Sequence, residues 1–104
     1  MQRYTVIVER IGRHLRTIDP ARYEVVIHSC TRAVDDAGTL VRAAAETTFA
    51  RAWAREREQT TAVAALSAML LVLESWEMRA IENKVEADRC FRLALERLSG
   101  ADIL

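Results

Sequence analysis

The sequence predicts an all-α protein: a long antiparallel helical hairpin with a shorter N-terminal helix, dimerising into a helical bundle. Three observations support this class. Three Gly and one Pro in 104 residues leave few of the turns that a multi-stranded β fold needs. Apolar residues recur at alternating spacings of three and four along most of the chain, as in helices with one buried face. Two segments of equal length share this pattern and are separated by a short polar break, which is typical of paired helices.

A chain of 104 residues can bury one modest core, and it contains no repeat, low-complexity stretch or linker, so residues 1–104 are predicted to form a single domain. The N-terminal segment lacks the apolar core of a secretion signal. The uncharged run of residues 62–73, in which Ser67 is the one polar residue, is shorter than the roughly 20 residues that span a bilayer. We therefore expect a cytoplasmic protein with no membrane segment. Fourteen Arg against one Lys indicate a GC-rich, bacterial coding sequence.

The first helix is predicted to be about 16 residues long. Its apolar residues form one stripe: Tyr4, Ile7, Val8, Ile11, Leu15 and Ile18. The β-branched residues in 5–8 leave a short strand as the alternative. A second helix is expected to start at Asp19 and Pro20, because Asp is a good N-cap and Pro fits the first helical position.

The second helix is predicted over residues 20–58. Gly38 is where it could end, with Thr39 capping a new helix. The apolar stripe keeps its phase past Gly38, however, and an interior glycine costs only about 1 kcal/mol relative to Ala. We therefore predict a continuous helix, with a bend at Gly38 as the open question.

The third helix is predicted over residues 61–99, ending at Ser99 and Gly100, after a tight turn near residues 58–61. Residues 20–58 and 61–99 would each form a helix about 58 Å long, because an α-helix rises about 1.5 Å per residue. The first helix would fold back along the open end of this hairpin. Cys30 and Cys90 would then lie near each other in the core, and whether they form a disulfide is left open.

The uncharged run near the predicted turn points in nearly every direction, and the short first helix cannot reach it. A helix that is apolar all round needs cover on more than one side. We therefore predict a homodimer in which two hairpins form a four-helix bundle. The residues predicted for this interface, or for a partner, are Val63, Leu66, Met69, Leu70, Leu73 and Trp76.

The sequence shows no pattern that indicates catalysis or metal binding. The metal-ligand candidates are His14, His28, Cys30 and Cys90, and His28 and Cys30 point to different sides of a helix. Neither a Glu-x-x-His pair, a Gly-rich phosphate loop nor a nucleophile placed near a His is present. We predict no catalytic residue, no metal, no cofactor and no enzymatic activity.

The net charge of the chain gives no indication of a nucleic-acid partner either. The chain has 15 basic and 15 acidic side chains, with the basic excess in residues 1–57 and the acidic excess in residues 58–104. The two halves therefore complement each other within the fold, and nucleic acid is not the expected partner.

By elimination, we predict a small regulator that binds another protein and sequesters or sterically blocks it, as a transcription-factor antiactivator does. The alternatives are a secretion or assembly chaperone for a secreted protein, then a DNA-binding transcriptional regulator, then a small all-helical dimeric enzyme. Whether the apolar face serves the dimer alone or also a partner stays open. The expected partner contacts near the turn, with Trp53 as the exposed anchor, are Phe49, Arg51, Trp53, Arg55 and Arg57.

Overall fold

The computed structural model describes residues 2–104, which form five α-helices and contain no strand, so the predicted all-α class is confirmed. The predicted stripe of residues 4–18 lies in the first helix, and residues 5–8 are helical rather than a strand. A short 3-10 turn, Ala37–Thr39, joins the second helix to the third. The helices are α1 (Gln2–Ile18), α2 (Pro20–Asp35), α3 (Leu40–Glu56), α4 (Thr60–Ala80) and α5 (Lys84–Gly100).

Helix α4 is the centre of the bundle, because α1, α2, α3 and α5 all pack against it. Its residues Leu66, Met69 and Val72 are fully buried. By length and composition alone, α4 could also cross a membrane. Its apolar character is that of a core helix, because four other helices pack against it.

Two predicted boundaries are confirmed. Asp19 caps α2 by accepting a hydrogen bond from the Arg22 amide at 3.1 Å, and Pro20 takes the first helical position. The turn between α3 and α4 occupies residues 57–59, within two residues of the predicted ends, and Glu58 adopts a left-handed conformation there (φ 55°).

The predicted continuity of residues 20–58 is wrong, because α2 ends at Asp35. Asp36 is extended (φ −140°, ψ 97°), and its carboxylate accepts a hydrogen bond from the Gly38 amide at 3.0 Å. This local side-chain bond replaces the helical one. Gly38 itself is not left-handed, so the break is caused by Asp36 rather than by the glycine.

The predicted continuity of residues 61–99 is also wrong. Helix α4 ends at Ala80, and Glu82 is left-handed (φ 64°). Asn83 then caps α5, its side chain accepting a hydrogen bond from the Glu86 amide at 3.2 Å. Asn followed three residues later by Glu is a helix-start signal that the apolar stripe obscures.

These two breaks change the architecture. Residues 2–104 span 37 × 27 × 21 Å, and the longest helix among them, α4, has 21 residues, well short of the predicted length of about 58 Å. Helix α1 packs against α2 and α4, and with the other helices it covers most of the uncharged run. The run therefore no longer requires a second copy of the chain, and the homodimer stays a prediction.

The two cysteines are free thiols, both buried. The Cys30 sulfur lies 3.3 Å from the hydroxyl of Thr47, whereas the Cys90 sulfur lies 3.7 Å from a carboxylate oxygen of Glu86. The disulfide left open by the sequence is not formed.

A buried polar chain links α1, α4 and α5. Ser75 donates to the Ala87 carbonyl at 2.6 Å, so the Tyr4 hydroxyl must be the donor in its 2.8 Å bond to Ser75.

Substituting Ser75→Ala should lower the free energy of unfolding by about 2 kcal/mol, because the buried Tyr4 hydroxyl loses its acceptor. In a Tyr4→Phe background the same substitution should cost about half as much. Urea unfolding of the four proteins of this cycle measures the coupling, and additive losses would contradict the hydrogen bond between Tyr4 and Ser75.

Candidate partner-binding face

Helix α3 carries an exposed, uncharged face opposite the side that it buries in the core. Its buried residues are Leu40, Ala43, Thr47 and Ala54. The opposite side, which we call the α3 face, follows the spacing of one helix surface and consists of Val41, Ala45, Thr48, Phe49 and Ala52.

The two large residues of the α3 face are unusually open to solvent. Val41 is 80% exposed and Phe49 is 76% exposed. The charged residues that are exposed on α3, Arg42, Arg55 and Glu56, lie near its two ends. A helix at the surface normally places charged side chains along its outer side, so packing within the chain does not explain the α3 face.

A groove runs beside the α3 face, between α3 and α4. Its floor at one end is formed by Ala44, Leu70 and Leu73, with the acidic side chains of Glu74 and Glu77 at the rim. The other end shares Leu70 and Glu74 with the first and is otherwise basic, lined by Arg51, Arg55, Ser67, Leu71 and Arg97.

The arginines of the basic end are available to a ligand. Within residues 2–104, neither Arg55 nor Arg97 forms an ion pair, and Arg51 makes only a 3.4 Å hydrogen bond to the Ser67 hydroxyl. The groove therefore combines an apolar floor with opposite charges at its two ends.

The predicted contacts near the turn divide between this surface and the core. Phe49 lies on the α3 face, and Arg51 and Arg55 line the groove. Trp53, expected as the exposed anchor, is instead half-buried, with its ring edge-on to Tyr23 at 6.0 Å. The guanidinium of Arg57 lies 4.0 Å from the Trp53 ring centre, so this arginine covers the tryptophan.

The residues predicted for the dimer or partner interface are mostly interior. Leu66, Met69 and Leu73 are buried by the chain itself. Trp76 is half-buried and donates its indole N–H to the Ala33 carbonyl at 2.9 Å. Val63 is half-buried too and borders a separate hollow near residues 55–60. Of these six predicted residues, all of which the structure describes, Leu70 and Leu73 are the two that line the groove.

A polar hollow of about 450 Å³ lies between α2 and the start of α3 and includes His28. Two of its charged residues are already paired within the chain. Glu24 binds Arg16 at 3.2 Å, and Arg42 binds Glu46 at 3.1 Å. Ser29 donates a hydrogen bond to Glu46, which occupies its hydroxyl. The hollow therefore offers fewer free charges to a ligand than the groove does.

The chain also brings together a set of metal-ligand types that the sequence analysis missed. Glu74 on α4 and Glu86 and Cys90 on α5 place their ligand atoms within 4.8 Å of one another. The spacing of four between Glu86 and Cys90 puts both on one helix side and was readable from the sequence. The approach of Glu74 depends on how α4 packs on α5, which the spacing does not reveal.

Comparison of the chain with protein-family models, curated proteins and solved structures finds no match.

Proposed function

We propose that this chain is a small non-enzymatic regulator that binds another protein by covering an amphipathic helix of that partner with the α3 face. The observation that carries the proposal is the exposure of Val41 and Phe49 on a face without charges. Large apolar side chains that the fold leaves exposed to solvent often mark a site where one protein binds another.

The shape of the α3 face suits a helix as ligand. Between Val41 and Phe49 stand the small side chains of Ala45 and Thr48, and Ala52 follows one turn later. Small side chains let a second helix approach to the usual distance of about 8–10 Å between axes. Phe49 would then insert between side chains of the partner helix, as aromatic anchors do at the centres of interfaces.

The charges beside the face indicate the partner's chemistry. Arg51 and Arg55 at the basic end are close to Ala52, and no carboxylate pairs with either guanidinium within residues 2–104. A partner helix with acidic residues at the end of its apolar stripe would neutralise them. Charge matching of this kind fixes the orientation of the partner and speeds encounter.

Such binding would act sterically. An amphipathic helix held on the α3 face cannot pack against its own protein's dimer partner or orient a DNA-binding element. This is the action expected of a transcription-factor antiactivator, and the same surface would serve a chaperone if the bound partner were a secreted protein.

The test compares two substitutions of equally exposed residues. Phe49→Asp places a carboxylate on the α3 face, whereas Val85→Asp changes a residue that is 82% exposed at the start of α5. Proteins captured from the source organism by wild type and by each variant are identified, and the affinity of the captured partner is then measured with purified components. We expect Phe49→Asp to weaken binding at least about 30-fold, the effect of losing one anchor worth about 2 kcal/mol. Val85→Asp should bind as wild type does.

Two outcomes would overturn the proposal. One is a partner that binds Phe49→Asp as tightly as wild type. The other is a mass in light scattering near twice 11.8 kDa that falls to the single-chain mass in Phe49→Asp, which would assign the α3 face to a second copy of this chain. Circular dichroism of both variants controls for folding.

A further inference from the structure

Three side chains with metal-binding atoms converge where the start of α5 packs on α4. Glu86 and Cys90 are four residues apart on one side of α5, and the Cys90 sulfur lies 3.7 Å from a Glu86 carboxylate oxygen. Glu74 faces them from α4, so that one ligand atom of each residue lies within 4.8 Å of the others. The cluster is therefore built by two helices and not by one exposed acidic stretch.

The thiol at the base of this cluster is buried and has no other partner. Cys90 has no exposed surface, whereas Glu74 is exposed and Glu86 is half-buried, so the carboxylates form the mouth above the sulfur. Within residues 2–104, the only hydrogen bond of the Cys90 sulfur is the one to Glu86. A cation bound between these groups would offset the repulsion between the two carboxylates.

The charges at this place balance for a divalent cation. Arg89 forms an ion pair with Glu86 and contacts Oε1 through two nitrogens but Oε2 through one, so a lone pair of that carboxylate stays free on Oε2. With a thiolate at Cys90, the three ligands carry three negative charges. The one positive charge of Arg89 and the two of a divalent ion neutralise them, which lowers the cost of holding charge at a partly buried site.

We infer that Glu74, Glu86 and Cys90 bind a zinc ion, with water as the fourth ligand. A thiolate with carboxylates suits the borderline-soft Zn²⁺ better than the hard ions Mg²⁺ and Ca²⁺, which take oxygen ligands. Ligand atoms around tetrahedral zinc stand about 3.5 Å apart, so the sulfur–oxygen separation already fits and the exposed Glu74 closes by side-chain rotation. Binding releases the Cys90 thiol proton to solvent as the zinc–sulfur bond forms.

The chain supplies its own control for the thiol. Cys30 is equally buried, but its sulfur contacts the Thr47 hydroxyl and lies in no such cluster within residues 2–104. The untagged full chain is titrated with Zn²⁺, and with Co²⁺ as the spectroscopic probe, under reducing conditions. We expect one ion per chain and a sulfur-to-cobalt charge-transfer band. Cys90→Ser should abolish the band and weaken zinc binding more than about tenfold, as loss of a metal-site residue does, while Cys30→Ser retains both.

A second variant separates the site from loss of folding. Glu74→Gln keeps the shape of an exposed side chain and should also weaken zinc binding about tenfold or more with no change in the circular dichroism spectrum. The inference is overturned if wild type binds no stoichiometric zinc, if Cys90→Ser binds as wild type does, or if Glu74→Gln has no effect. These measurements use no protein partner, so they are independent of the function proposed for the α3 face.

Discussion

Replacing Leu66 by Ala should lower the free energy of unfolding by roughly 3 kcal/mol, within the range of about 2–5 kcal/mol for large-to-small core substitutions. Leu66 has no exposed surface and lies in α4, on which the other four helices pack. The substitution therefore removes apolar contacts at the centre of the bundle and leaves a cavity that no single helix can close. Urea unfolding followed by circular dichroism measures the loss.

Leu70, four residues further along the same helix, is the matched control. It is half-buried at the groove, so Leu70→Ala removes less buried surface and should cost less than about 1.5 kcal/mol. Equal losses for the two variants would show that Leu70 is fully enclosed in solution, although it is only half-buried within a single chain. That outcome would revive the homodimer as the source of the missing cover.

The helix content and two helix boundaries could be predicted because they depend on local patterns. The stripe from Tyr4 to Ile18 repeats at helical spacing with polar residues between, and α1 forms over the same residues. Asp19 and Pro20 act on the backbone within one turn, so their effect on the start of α2 needs no knowledge of the fold.

The breaks inside the two predicted long helices escaped the same reasoning. The apolar spacing continues across residues 36–39 and 81–83, yet the residues that continue it past the breaks, Val41, Ile81 and Val85, are exposed and do not lie in the core. Phase alone therefore cannot show whether the backbone is continuous. The decisive signals were the side-chain caps of Asp36 and Asn83, which bond the backbone two and three residues ahead.

The equal lengths of residues 20–58 and 61–99 were a misleading clue. They suggested two paired rods, whereas four shorter helices arise from the same residues. Shorter helices let α1 reach α4 and bury Leu66 and Met69 without a second copy. The prediction of a homodimer depended on rods too long for α1 to cover.

The candidate sites show the same division between local and tertiary information. Phe49 could be named from the sequence, since an aromatic residue near arginines is typical of a binding surface. Whether Phe49 is exposed, and the edge-on packing of Trp53 against Tyr23, depend on how α2 and α3 meet. The approach of Glu74 to Cys90 likewise depends on the packing of α4 on α5.

A loss of stability at alkaline pH is expected from Cys30. Burial, the largest cause, raises the pKa of the Cys30 thiol from 9.0 to about 11 in the folded chain. Between these two values the unfolded chain releases the thiol proton while the folded chain keeps it, so unfolding is favoured as the pH rises. The contribution is fully present below pH 9 and should fall by about 2–3 kcal/mol as the pH reaches 11.

Geometry explains why the thiol resists ionisation and supplies the control. Thr47 donates its hydroxyl proton to the Ala43 carbonyl at 2.7 Å, so Cys30 is the donor in the 3.3 Å contact between the two side chains. Cys30→Ala has no thiol to ionise, so its free energy of unfolding should change less over the same pH range, whatever its value at neutral pH. Urea unfolding under reducing conditions from pH 9 to 11 compares the two slopes, on which the raised pKa of Tyr23 acts equally. Identical slopes for wild type and Cys30→Ala would mean that the Cys30 thiol ionises in the folded chain as readily as in the unfolded one.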